Sequence, residues 1–135
     1  PSGSRPRVYS VGTVPGSDQA DASMVIEKVA ATGANAEGPY IGESYDAAAL
    51  IMLAMQAANS MDSGAYKDKV MDVANAPGEK IYPGELAKAL ELIAAGTDID
   101  YVGATAVELI GPGEASGSYR EIKFEGGKMT TVGYR

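Results

Sequence analysis

The sequence predicts a mixed α/β fold, and three observations carry that expectation. Residues 45–58 form an apolar run in which only Asp46 and Gln56 are strongly polar, the pattern of a helix enclosed on all sides by a larger body. Residues 8–14 and 101–110 are extended in character, the first ended by Pro15-Gly16-Ser17 and the second interrupted by Gly111-Pro112-Gly113. Residues 119–134 alternate weakly about Glu125-Gly126-Gly127-Lys128 and read as a hairpin.

Taken in order, residues 1–7 read as a disordered lead and residues 8–14 as a strand. Ser17 or Asp18 suits the cap of a helix that presents Met24, Val25, Ile26 and Val29 and stops at Gly33. A loop over 34–39 leads into the apolar helix, expected over about residues 42–60. Ser63 would cap a short helix over 66–74, with Val70, Val73 and Ala74 inward. After a turn over 75–80 and a brief extended piece at 81–82, Pro83-Gly84-Glu85 suits a first helical turn. Leu86, Leu90 and Ile93 follow at helical spacing, and Gly96 ends that helix. The first strand has no neighbour close in sequence, so both it and the hairpin are expected to join sheets begun upstream.

A chain of 135 residues suffices for one ordinary domain. Its formal charge of -7 opposes binding to nucleic acid, which needs clustered Lys and Arg, and to an anionic membrane surface. The sequence contains no Cys and no His, which removes thiol and imidazole chemistry and the usual zinc ligands. No cofactor or metal is expected. Pro1 to Pro6 contain no apolar segment of the kind a leader requires, and the chain reads as a mature form or a piece of a longer protein.

The motifs that suggest catalysis fall to simpler readings. Gly111-Pro112-Gly113-Glu114-Ala115-Ser116-Gly117 lacks the spacing of a dinucleotide loop and the Gly-Lys-Ser of a phosphate loop, so it reads as a turn. Asp98-Ile99-Asp100 lacks the remaining positions of a calcium loop. No serine sits in a Gly-x-Ser-x-Gly elbow. Glu37, Glu43 and Asp46 surround the start of the apolar helix, where carboxylates complement the helix dipole. Tyr40 and Tyr45 stand at the same junction, where an aromatic ring either walls a cleft or packs in the core.

From Gly38 the string Gly-Pro-Tyr-Ile-Gly-Glu-Ser-Tyr-Asp-Ala-Ala-Ala-Leu resembles the C-terminal third of the periplasmic solute-binding proteins of ABC importers, leucine/isoleucine/valine-binding type. Three further segments agree in order: Val73-Ala74-Asn75-Ala76-Pro77-Gly78-Glu79, the helix Leu86-Ala87-Lys88-Ala89-Leu90-Glu91-Leu92, and Asp98-Ile99-Asp100-Tyr101-Val102-Gly103-Ala104-Thr105. The chain departs from the family at Glu108-Leu109-Ile110-Gly111-Pro112-Gly113-Glu114. The resemblance implies the C-terminal portion of a two-lobed type I periplasmic-binding fold, with helices of lobe 1 and strands given to both lobes. Residues 8–15 would be a strand of lobe 2 and a crossover, 16–110 a segment of lobe 1, and 111–135 a hairpin returning to lobe 2. The implied function is capture, without catalysis, of an amino acid or amide in the periplasm and its delivery to a membrane permease. Tyr40 would line the ligand pocket, with Tyr45 and Glu43 as further ligand-binding residues and the missing N-terminal part supplying most other contacts. A ligand-sensing regulatory domain of the same fold, or a fragment of an unrelated α/β enzyme, are the alternatives. A signal peptide upstream would favour transport, and a cytoplasmic operon-type partner would favour sensing.

Overall fold

The short β-rich stretches and the apolar helices sort into a three-stranded antiparallel sheet and a helical body built around a parallel strand pair. The computed structural model describes residues 8–18, 20–36, 38–111 and 113–135. The expected lead over 1–7, the Glu37 carboxylate and Pro112 lie outside them.

The sheet joins the two ends of the chain. Strand β1 (Tyr9–Pro15) pairs antiparallel with a strand over Tyr119–Glu125, which pairs with the last strand, Lys128–Tyr134. The first strand therefore finds its neighbour within this chain, more than a hundred residues away by the Tyr9–Glu125 pairing. Gly126 and Gly127 turn the hairpin with φ of 61° and 78°, the left-handed pair that a two-residue turn matched to strand twist requires.

Helix α1 covers Ala20–Ala31, and Gln19, which would follow a cap at Asp18, lies outside the described residues. Only Val25 of its expected face is buried, and Met24 and Ile26 are exposed. Helix α2 (Ile41–Ala58) is the spine of the body and packs against α1 and against every helix that follows. Its buried positions are Asp46, Ala49, Leu50, Leu53 and Ala54, which recur at helical spacing on one face. Ala47, Ala48, Ile51 and Met52 on the opposite face are exposed, so the helix is not enclosed all round within this chain. Small Ala and pliant Met side chains make both faces look alike in sequence.

The expected helix over 66–74 is instead broken. A turn of helix α3 (Ser63–Tyr66) passes through a 3-10 turn, Lys67–Lys69, into α4 (Val70–Ala74). Asp62 occupies the cap position in place of Ser63. Strand β2 (Glu79–Ile81) runs parallel to β3 (Ile99–Tyr101), and α5 (Leu86–Ala94) makes the crossover such a pair needs. Pro83 and Gly84 precede α5 as a turn, and Leu90 faces solvent while Ala89 is buried. Gly96 ends α5 as expected: its N–H reaches the Ile93 carbonyl and the Thr97 N–H reaches that of Leu92. The core packs α2 and α4 directly on β2 and β3 through Leu53, Val73, Ile81, Ile99 and Tyr101. The apolar helix thus lies on strands that this chain does encode.

Beyond β3 a turn over 103–106 leads to β4 (Leu109–Gly111) and β5 (Glu114–Ala115), a small irregular hairpin where one extended stretch was expected. The last two strands of the chain, β6 (Tyr119–Glu125) and β7 (Lys128–Tyr134), complete the sheet. The chain passes between sheet and body just after β1 and again between β5 and β6, and the Gly16 N–H donates to the Ser118 carbonyl (3.2 Å) to tie the two passages together.

Candidate functional site

A cleft of about 400 Å³ opens between the sheet and the start of α2. The body contributes Tyr40, Ile41, Glu43, Ala104 and Thr105, with Ile26 of α1 beside them. The sheet contributes Arg120, Met129, Thr131 and Tyr134, and Pro15, Gly16 and Ser17 form the floor where the chain crosses. The β6–β7 register explains the sheet wall. Arg120 pairs with Tyr134, Ile122 with Thr131 and Phe124 with Met129; alternation sets the faces along β6, and a register shift between Glu121 and Ile122 brings Tyr134 opposite Arg120. A second cleft of about 330 Å³ shares Pro15, Gly16, Ser17, Glu43 and Thr105 and is otherwise lined chiefly by residues of the 107–119 region and α2.

Tyr40 immediately precedes α2 with φ 67° and ψ 16°, left-handed values that a bulky residue rarely adopts. Its carbonyl accepts the Ser44 N–H (2.9 Å), the first turn of the helix, while its side chain caps nothing and stays 55% exposed at the cleft. Backbone strain of this kind gathers at functional sites because surrounding structure must impose it. Glu43, in the first turn, is half-buried and lines both clefts. Tyr45 is placed elsewhere: its hydroxyl accepts the Gly84 N–H (3.3 Å), and it lines neither cleft. At about 100° per residue, the five steps from Tyr40 to Tyr45 turn the helix to another side.

Asp46 is the one buried charged residue among the described residues, 2% exposed. Its Oδ1 accepts the Tyr101 hydroxyl (2.9 Å) and the Ala104 N–H (2.9 Å), and its Oδ2 accepts the Thr105 N–H (2.9 Å) and hydroxyl (2.7 Å). The carboxylate therefore fixes residues 101–105, two of which wall the cleft, to the first turns of α2. Burial, then the negative charge of Asp46 and its hydrogen bond, push the Tyr101 hydroxyl well above the usual tyrosine range. The sign follows directly: the folded state holds this proton more tightly than the unfolded one, so the stabilisation is complete below the unfolded value near ~10 and is lost as pH rises above it. Urea titrations between pH 8 and pH 11 are expected to show a loss of up to ~1.4 kcal/mol per pH unit from this residue above ~10. Tyr101→Phe should remove that component of the slope, and an unchanged slope would contradict it.

Arg120 and the other residues of the sheet wall, together with Thr105, were not singled out in the sequence. The weak alternation of the hairpin puts Arg120 on one side with Ile122 and Phe124, but nothing local reveals that Arg120 lines a cleft opposite the start of α2. Among the described residues no group of three or more acidic, His or Cys side chains is placed to hold a metal ion, and no helix is long and apolar enough to cross a membrane. Comparison of the chain with protein-family models, with curated proteins and with solved structures finds no match.

Proposed function

We propose that this chain is the C-terminal portion of a solute-binding protein of an ABC importer, of the two-lobed type I periplasmic-binding fold, which captures a small amino acid-like ligand between closing lobes. The observation that supports this reading is the cleft itself. Its walls come from the sheet and the helical body, between which the chain passes after β1 and again between β5 and β6. A ligand that touches both walls stabilises the closed arrangement by its difference in affinity for the two states. A membrane permease would then read the closed form, in the periplasm. On this reading the sheet is part of lobe 2, the helical body part of lobe 1, and the upstream part of the same protein completes both. The exposed apolar side chains Val8, Val11, Ile51 and Met52 agree with such completion.

Tyr40 is the body-side ring against which the ligand packs, with Glu43 beside it. In the protein carrying its upstream part, Tyr40→Ala is expected to weaken ligand binding about tenfold, the scale of one lost aromatic contact. Isothermal calorimetry measures it, and an affinity equal to the wild type removes Tyr40 from the site.

A further inference from the structure

We propose that Met52, Met55 and Met61 form a thioether site for Cu(I) at the C-terminal end of α2. The three line one cleft of about 380 Å³, and Gln56, Asn59 and Ser60 complete its walls. Half of the six methionines in the sequence are gathered here. None of these residues lines the cleft beside Tyr40, so the metal site is separate from it and does not depend on the solute-binding reading. Methionine ordinarily fills gaps in a core, yet Met61 is 85% exposed and Met52 49%. None of the three belongs to the hydrophobic core or to the partly buried side chains packed on it. The buried face of α2 uses Leu50 and Leu53, so packing alone does not call for sulfur on this helix.

The end of the helix brings the three together. Met52 and Met55 are three residues apart on α2 and share a face. The helix then closes on a left-handed residue, Asn59 (φ 48°, ψ 40°). Its N–H reaches the Gln56 carbonyl (3.1 Å) and the Ser60 N–H reaches that of Met55 (3.1 Å), the paired bonds that reverse a chain at a helix C-terminus. The Asp62 N–H donates to Ser60 Oγ (3.1 Å) and holds the next turn. Met61 is thereby returned to the cleft of Met52 and Met55 instead of running on from the helix. Thioethers are neutral, soft donors and select Cu(I) over hard or borderline divalent ions. The three rotatable bonds of each methionine let its sulfur adjust to the ion. The sequence has no Cys or His to compete, and no Lys or Arg is among the described residues that line the cleft. The last turn of α2 carries no basic side chain, so the negative end of its dipole is left to favour a cation.

The test uses the full-length protein. Silver nitrate in chloride-free buffer supplies Ag(I), a soft ion that resists oxidation, for calorimetry, and Cu(I) is followed without oxygen by competition with a coloured chelator. One Ag(I) or Cu(I) per chain is expected to bind at the cleft. Leu nearly matches Met in volume, so Met52→Leu and Met61→Leu keep the fold while each removes one sulfur. Each is expected to weaken both ions about tenfold or more, and replacing Met52, Met55 and Met61 together by Leu should abolish the site. Met71→Leu, on α4 and outside this cleft, is expected to bind as the parent does. No detectable binding of either ion overturns the inference, as does binding that the triple variant retains. A loss in Met71→Leu as large as in Met61→Leu overturns it too, because the metal would then not be held by this cleft. Zn(II) binding that the triple variant loses would contradict a thioether site and overturn the assignment to Cu(I).

Discussion

Asp46→Ala is expected to destabilise the chain by about 4 kcal/mol, read as a fall in the urea midpoint at neutral pH. The carboxylate accepts four hydrogen bonds from three residues of the 101–105 segment. Truncation leaves the buried Tyr101 hydroxyl and Ala104 N–H and the half-buried Thr105 N–H without their acceptor, and stranding buried donors costs more than the net value of the bonds themselves. Asp46→Asn keeps one oxygen but turns an NH2 group toward donors, so it is expected to lose about 2 kcal/mol. A drop under about 1 kcal/mol for both variants would show that the segment is held by packing alone. Because a domain holds only ~5–15 kcal/mol in total, the alanine variant is expected to melt well below the parent.

The same residue shows where sequence reasoning stops. That an acid in the first turns of α2 is favourable follows from the helix dipole, a local rule. That it is buried does not, because its partners stand 55 to 59 residues further on. The hairpin of β6 and β7 was legible for the opposite reason, since strand, glycine turn and strand are contiguous and the turn chemistry specifies the pairing. Strand β1 was legible as a strand but not as a partner of β6, because alternation encodes the faces of a strand and not its neighbour. Tyr40 and Tyr45 looked equivalent as rings at one junction. Helical rotation separates them, one to the cleft and one to Gly84. Arg120 carried no signal of its own, because the cleft it lines exists only once the two ends of the chain meet.

Asn75 repeats the logic of Asp46 at the other end of the body. Its Nδ2 donates to the Leu109 carbonyl (2.7 Å) and its Oδ1 accepts the Leu109 N–H (3.0 Å), so one side-chain amide stands in for a neighbouring strand. Two of the four segments that share the family-like pattern, 73–79 and 98–105, thus supply groups that tie distant parts of the chain together: Asn75 holds β4, and Tyr101, Ala104 and Thr105 hold the start of α2.

Gly103→Ala is expected to cost about 3 kcal/mol and to lower ligand affinity in the same variant. Gly103 adopts φ 63°, where an L side chain is disfavoured by roughly 1 kcal/mol. The larger part is steric: an added Cβ would drive into the Asp46 carboxylate and stand 2.6 Å from the Tyr101 ring, two groups already joined by a hydrogen bond. One of them must move, and with it the acceptor that positions Ala104 and Thr105. Those residues press on the start of α2, where a Cβ on Gly42 would come within 2.9 Å of the Thr105 methyl, so a shift at 103 is passed to the cleft wall below Tyr40. The double variant separates this account from simple backbone strain. Removing the Asp46 carboxylate relieves part of the clash, so Asp46→Ala and Gly103→Ala together should cost about 1 kcal/mol or more less than their sum. Strict additivity would show that the carboxylate is not what the added Cβ displaces, and would leave the cost to the Tyr101 ring and the left-handed backbone.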